Sequence, residues 1–375
     1  MLSVVLAAAT HVVSGASPQT TASPPEVFSF ESAGMQLQVE EVHKADGVVW
    51  AMDFIDEQTM VFTLRDGQLQ LMDLQDFSVT SIPGAPEVQV SSSGGLFDVM
   101  VDPDFENNRQ LYFTYVKAVA AGGATVAARG RLEDGRVVGL KDLFVANNAS
   151  DELAHFGSRI VMDDDRFIYI TVGDRHIPNN AQNLSSHGGK VIRLHDDGRV
   201  PESNPFAGRD DAAPEIWTFG HRNPQGLTID PASGRIFEQE HGPTGGDEIN
   251  ILVRATNYGW PVITYGKNLW GGQEAEGTAR EGMQQPFKYW VPGNAPTGLN
   301  FLNGDRYPGW QGNLFVATLR GPIERIQLED GVIVAEERLS LKPMDRIRDI
   351  VSGPDGLLYF ATESGRIARI VPQGN

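Results

Sequence analysis

Apolar and polar positions along this chain alternate in short bursts, and no stretch sustains the long period of an amphipathic helix. From Gly47 the chain reads "GVVWAMDFIDEQTMVFTLRDGQLQLMDL", and related units start at Gly94 ("GGLFDVMVDPDFENNRQLYFTYV") and Gly157 ("GSRIVMDDDRFIYITVGD"). Three more begin at Pro224 ("PQGLTIDPASGRIFEQEHG"), Pro296 and Ile347 ("IRDIVSGPDGLLYFATESGRIARIVP"). Each predicts an apolar strand, a turn rich in Asp, Pro, Gly or Asn, and a second strand, with a third amphipathic strand where the pattern is clearest. Six such units in a chain with 41 glycines predict an all-β fold, a six-bladed β-propeller of four-stranded antiparallel blades. A solenoid is the alternative. Insertions of very unequal length between the same two strands favour the propeller, whose loops gather on one face around a channel. The longest insertions, from about Asn179 to Pro214 and from about Thr244 to Pro296, are expected to build a site.

Charge and composition narrow the partners. The 375 residues carry 49 Asp and Glu against 30 Lys and Arg, a formal net charge of -19, so a broad basic field for nucleic acid or an anionic membrane is excluded. Any anionic ligand needs a local cationic cluster. Cysteine is absent, which removes disulfides, thiolate catalysis and Cys-type metal sites. The opening "MLSVVLAAATHVVSGASPQTTASPPE" has a short apolar stretch, small residues and a Ser/Thr/Pro spacer, as a secretory signal and linker would. Residues 1–28 are therefore read as signal-like and flexible, residues 29–375 as the propeller, and the protein as exported, to a periplasm. No later apolar run reaches the roughly 20 residues of a membrane span, and monomer and homodimer both stay open.

Candidate chemistry lies on the insertions. His155 precedes the "RIVMDDDRFIYITVGD" strand pair, and Asp174 closes that pair, where a carboxylate can orient an imidazole. His221 and His241 are further candidates, with structural roles an open alternative. No HExxH, GxGxxG or GxSxG motif occurs, which leaves no sequence case for a side-chain zinc site, nicotinamide binding or an α/β-hydrolase. Arg222 in "GHRNPQG", Arg320 in "VATLRGPIERI", and Arg346 with Arg348 in "DRIRDIV" sit at loop-to-strand junctions of different units. Junctions of this kind converge on a channel mouth, and four guanidiniums meeting there would suit a carboxylate-bearing anion. Pairing with Asp345, Asp349 or Glu324 on a solvated rim is the other reading.

The segments "LAHFGSRIV…YITVGD", "GHRNPQGL", "EHGPTGGDEINILV…NYGWP" and "DRIRDI…PDGLLYF" resemble the soluble PQQ-dependent sugar dehydrogenases, the glucose/sorbosone dehydrogenase family, particularly its aldose branch; the resemblance covers roughly residues 40 to 372. It implies a six-bladed propeller, pyrroloquinoline quinone (PQQ) held over a calcium ion at the channel mouth, and an aldose oxidised at C1 to the lactone, with electrons passed to an external acceptor. By position it implies that His155 is the general base, oriented by Asp174. Arg222 and Asn223 would contact the quinone, Arg346 and Arg348 the cofactor carboxylates, and the carbonyls of Gly242 and Pro243 the calcium; without the resemblance, "HGP" reads as a tight turn. Two positions depart from the family: Arg320 stands where a lysine usually meets the cofactor, and Ser93 stands where a glutamine usually approaches substrate, which bears on sugar specificity. Tyr289 and Trp290 read as aromatic lining of the entrance or as loop packing. A calcium-dependent propeller lactonase and a non-catalytic binding module with a decayed cofactor site are the competing functions. Neither needs converging arginines.

Overall fold

The computed structural model describes residues 27–267, 275–341 and 345–374; most of the signal-like segment, residues 1–26, lies outside them. An N-terminal hairpin, β1 (Val27–Ser32) and β2 (Met35–Lys44), precedes six sheets. Blade 1 holds β3 (Val49–Phe54), β4 (Thr59–Leu64), β5 (Leu69–Asp73) and β6 (Val79–Ile82). Blade 2 holds β7 (Leu96–Val101), β8 (Gln110–Val119), β9 (Gly122–Glu133) and β10 (Arg136–Val145). Blade 3 comprises β11 (Gly157–Met162), β12 (Phe167–Val172), β13 (Lys190–His195) and β14 (Ile216–Phe219). In blade 4 lie β15 (Pro224–Ile229), β16 (Ile236–Glu240), β17 (Asp247–Ile251) and β18 (Lys288–Trp290). Blade 5 is β19 (Pro296–Phe301), β20 (Leu314–Thr318), β21 (Ile323–Glu329) and β22 (Val332–Leu339). Blade 6 takes β23 (Ile347–Ser352), β24 (Leu358–Thr362) and β25 (Arg366–Pro372) from the C-terminal end and completes itself with β2 and β1, so it is five-stranded.

The first strands follow one another in a ring, and β23 returns against β3. That closure makes the fold a propeller and rules out a solenoid. Every blade has an irregularity in its first hairpin, between Leu96 and Val99 in blade 2 and between Gly157 and Ile160 in blade 3, for example. A bulge leaves ladder groups unpaired, and buried threonines on the second strands take them up. Thr114 accepts from the Asp98 N–H at 3.1 Å and donates to the Ser158 carbonyl of the next blade at 2.7 Å. Thr63 and Thr171 do the same toward Phe97 and Pro224. One hydroxyl thus mends a bulge and staples two blades.

The third residues of the six first strands are Ala51, Asp98, Arg159, Gly226, Gly298 and Asp349. Arg159 fills the channel from among them. Its guanidinium meets Asp98 at 3.3 Å and Asp349 at 3.0 Å, and it donates to the carbonyls of Gln225 and Arg348, each at 2.9 Å. Glycine is required opposite: a Cβ on Gly298 would fall 2.7 Å from the Ile350 nitrogen and 2.9 Å from the Asp349 carboxylate. On one side of this plug a cavity of about 300 Å³ holds Asp53, Asp98 and Asp349 in its wall.

Both long insertions are shorter than the sequence suggests. The stretch from Asn179 to Pro214 contains β13, whose pattern is disguised by the inward-facing Lys190 and Arg193. The stretch from Thr244 to Pro296 contains β17 and β18. Lys190 is fully buried and donates to the carbonyls of Asn180, Ala181 and Gly188. Among the described residues no carboxylate pairs with it, and burial lowers it to about 7.

Candidate functional site

The loop entering β11 and the turn leaving β12 come together at one end of blade 3. His155, held at a φ of 55°, places Nδ1 at 2.6 Å from Asp174 Oδ1. The same oxygen accepts the backbone N–H of His176 at 3.0 Å, while Oδ2 accepts the indole N–H of Trp260 at 2.8 Å. Burial alone would raise Asp174, but the His155 contact, Arg222 and Trp260 outweigh it and hold the carboxyl below its usual range. His155 moves down to about 4, chiefly through burial, against the pull of Asp174 and with help from Arg222 and His176. At neutral pH the pair is therefore a carboxylate and a neutral imidazole, with its proton on Nδ1 and Nε2 free to accept.

These groups line a cavity of about 340 Å³ with Glu152, His176, Pro178, Arg222, Pro243 and Trp260. The Arg222 guanidinium lies 5.2 Å from the Trp260 ring centre and donates from Nη1 to the carbonyls of His241 (3.1 Å) and Gly242 (2.8 Å). Burial lowers its pKa against the opposing charges of Asp174, Glu240 and Asp247. The turn from Gly242 to Asp247 is pinned by Gly242 N–H to Asp247 Oδ1 at 2.8 Å. Carbonyls crowd it: a Cβ on Gly242 would lie 2.3 Å and 2.4 Å from the oxygens of Gly245 and Gly246.

The remaining candidates divide. Arg346 and Arg348 do share one side of their strand, and both reach one carboxylate, that of Glu363, rather than Asp345, Asp349 or Glu324. Arg348 is buried over Trp50, 4.7 Å from its ring centre, with Nε unpartnered. Arg348 and Arg222 act together on His241, which burial lowers and whose Nε2 reaches the Pro296 carbonyl at 2.7 Å. Arg320 is exposed in the turn between β20 and β21 rather than at the start of a first strand. Asn223 is buried, its Oδ1 accepting the Gly157 N–H at 3.3 Å. Ser93 is half-buried in the turn leading into β7. Tyr289 is 46% exposed and stacks on Tyr265 with ring centres 3.7 Å apart. Trp290, read as entrance lining or as loop packing, is buried with Phe237, Ile249 and Leu299 between blades 4 and 5, because β18 turns its side chain inward. His221 is fully buried, stacked on Tyr258 and bonded to Thr218.

Sequence reasoning passed over Trp260, His176, Glu152 and Glu363. Trp260 stands inside "NYGWP", but a lone tryptophan reads as packing; His176 follows Asp174 by only two positions and is its one sequence-level signal. Glu363 carries none, since its pairing with the "RIR" arginines depends on the β23–β24 hairpin.

The sequence profile of the Glucose / Sorbosone dehydrogenase family matches residues 47–369. The chain is 37% identical to the aldose sugar dehydrogenase YliI of Escherichia coli, over 86% of this chain and 90% of that one. It is 25% identical to the quinoprotein glucose dehydrogenase B of Acinetobacter calcoaceticus, over 89% and 86% respectively. The crystal structure of the soluble aldose sugar dehydrogenase of Escherichia coli in its apo-form superposes with a TM-score of 0.86 at 34% identity, covering 90% of this chain and all of the other.

Proposed function

The chain belongs to the glucose/sorbosone dehydrogenase family of oxidoreductases acting on CH–OH groups, and from that premise we propose that it oxidises aldose sugars at C1 to the lactone, using PQQ and calcium and passing electrons to an external acceptor. The observation that carries the reading is the His155–Asp174 pair, a neutral base and its orienting carboxylate, facing one cavity with Arg222 and Trp260.

The residues present fit the cofactor. Arg222 offers positive charge in the cavity wall, Arg348 holds a buried and unpartnered Nε, and the Gly242 turn presents crowded carbonyls where no side chain could stand. Arg222, Asn223, Arg320, Arg346 and Arg348 would hold the quinone and its carboxylates, and the carbonyls of Gly242 and Pro243 the calcium, oxygen being the ligand a hard cation takes. The Gly242 oxygen already accepts from Arg222, and its second lone pair stays available. When bound, the quinone supplies the acceptor for the hydride leaving C1, and the metal supplies Lewis acidity.

The chain's own residues do the rest. Nε2 of His155 takes the proton of the anomeric hydroxyl, and Asp174 stabilises the imidazolium that results. Trp260 fixes Asp174 and walls the cavity against water. Arg222 sets a preorganised positive charge where negative charge develops, which costs no reorganisation during reaction. Ser93 and Tyr289 are the sugar-side candidates, and export to a periplasm is the location proposed.

Titrating the purified protein with PQQ, with and without calcium, and then adding a panel of aldoses tests this reading. Calcium-dependent binding followed by bleaching of the quinone spectrum is expected; absence of binding overturns it. A non-catalytic binding module is the second reading, favoured by Glu363, which engages both Arg346 and Arg348.

A further inference from the structure

Each turnover of a base such as His155 leaves a proton that must reach solvent before the next. The His155 side chain is only 11% exposed, and its Nδ1 is committed to Asp174. Asp174 cannot relay the proton: it is 1% exposed, its two oxygens already take three donors, and its carboxyl stays ionised. The exit therefore has to start from a neighbour that touches His155 and also meets water.

Among the described residues, His176 satisfies both conditions. The His176 ring stands edge-on to the His155 ring, with centres 3.8 Å apart and planes at 69°. Its side chain is 45% exposed, and its Nδ1 lies 3.4 Å from Oε2 of Glu152, itself 52% exposed. The placement is imposed by the fold. The Asp174 oxygen that orients His155 also accepts the His176 backbone N–H, and His176 holds a left-handed φ of 53° that most side chains avoid. Arg175, between them, donates to the carbonyls of Gly123, Ser150, Glu152 and Ala154 and lies 3.7 Å from the Phe156 ring centre, which clamps the loop bearing Glu152 and His155. The charged groups around His176 are thus Glu152 on the open side, Asp174 and His155 on the closed side, and Arg175 and Arg222 at the flanks.

We propose that His176, backed by Glu152, carries the substrate's proton from His155 to solvent. This rests on the dehydrogenase reading above. Across the cavity that both rings line, the N–H bond on Nε2 of His155 breaks and one forms on the free ring nitrogen of His176, with a water as the bridge; the proton on Nδ1 of His176 then leaves through the Glu152 carboxylate to bulk water, and no electrons move. His176 is a relay beside the base and leaves the abstraction itself to His155.

The test uses the PQQ- and calcium-loaded protein with saturating aldose and acceptor in dilute buffer. The His176→Asn variant is expected to complete its first turnover at the wild-type rate and then to slow by about tenfold, less than the loss of a general base. Small imidazole buffers should restore the steady rate, with KM and PQQ affinity unchanged; Glu152→Gln should give a smaller fall of the same form. A steady rate equal to wild type, or a slowed first turnover that imidazole does not restore, overturns the relay. Wild-type protein that fails to oxidise any aldose in this assay overturns the dehydrogenase reading instead, and the relay with it. The cofactor-free protein gives a second readout: in 15N-detected imidazole titrations, His176→Asn should raise the His155 midpoint, because a protonated His176 opposes charging of its neighbour. An unmoved midpoint also overturns the proposal.

Discussion

Two buried carboxylate clusters lie along the propeller axis, and they behave in opposite ways. At the cavity, Asp174 receives three donors and stays ionised although it is almost fully buried. In the channel, Asp98 and Asp349 share one cation, Arg159, while Asp53, among the described residues, takes only the backbone N–H groups of Phe54 and Val101; burial pushes Asp349 up to about 6 and Asp53 to about 7. Burial is common to both. What separates them is the company each carboxylate keeps: His155, Arg222 and Trp260 hold Asp174 down, whereas the channel carboxylates repel one another and so add to the effect of burial.

The largest expected effect breaks the cavity cluster at its base. His155→Ala should lower turnover by roughly two to four orders of magnitude while leaving PQQ binding nearly intact, as kcat and a cofactor titration will show. Next comes the channel. Arg159→Met strands Asp98 and Asp349 and two carbonyls, and should cost about 3–5 kcal/mol of stability in denaturant unfolding, with a far smaller effect on kcat than His155→Ala. Trp260→Phe keeps the ring and removes one of Asp174's three donors; kcat should fall by about tenfold, near 1.4 kcal/mol, with KM little changed. The smallest effect distinguishes the clusters by pH. A carboxyl raised by folding lowers stability progressively as pH climbs from its unfolded value to its folded one. Asp53→Asn should therefore gain on wild type in thermal melts between about pH 4 and pH 7 by at least about 1 kcal/mol. No such gain is expected from Asp174→Asn, whose carboxylate contributes stability above its unfolded pKa and loses it as the pH falls.

The blade repeat was legible because Asp, Pro and Gly punctuate each first hairpin, as in "DPDFENNRQ" and "GPDGLL". β13 was not, since Lys190 and Arg193 point inward and break the apolar run; only the carbonyls around Lys190 and the aromatic rings around Arg193 explain them. Within the site, His155 and Asp174 could be paired from sequence because they bracket one hairpin. The bond from Trp260 to Asp174 spans 86 positions, and the Arg346–Arg348–Glu363 cluster depends on which side of β23 faces β24. Trp290 misled for the converse reason: beside an exposed tyrosine in a Pro/Gly-rich stretch, it reads as loop until β18 is seen to pair with β17.

The pairing of β2 with β25 carries a consequence for biogenesis. A chain made from its N-terminus forms the β1–β2 hairpin early and keeps the other edge of β2 unpaired until residues 366–372 arrive, so the last blade, with Arg346, Arg348 and Glu363, is closed by a segment made long before it. A product that stops short of residue 366 leaves that edge of β2 open and the ring unclosed.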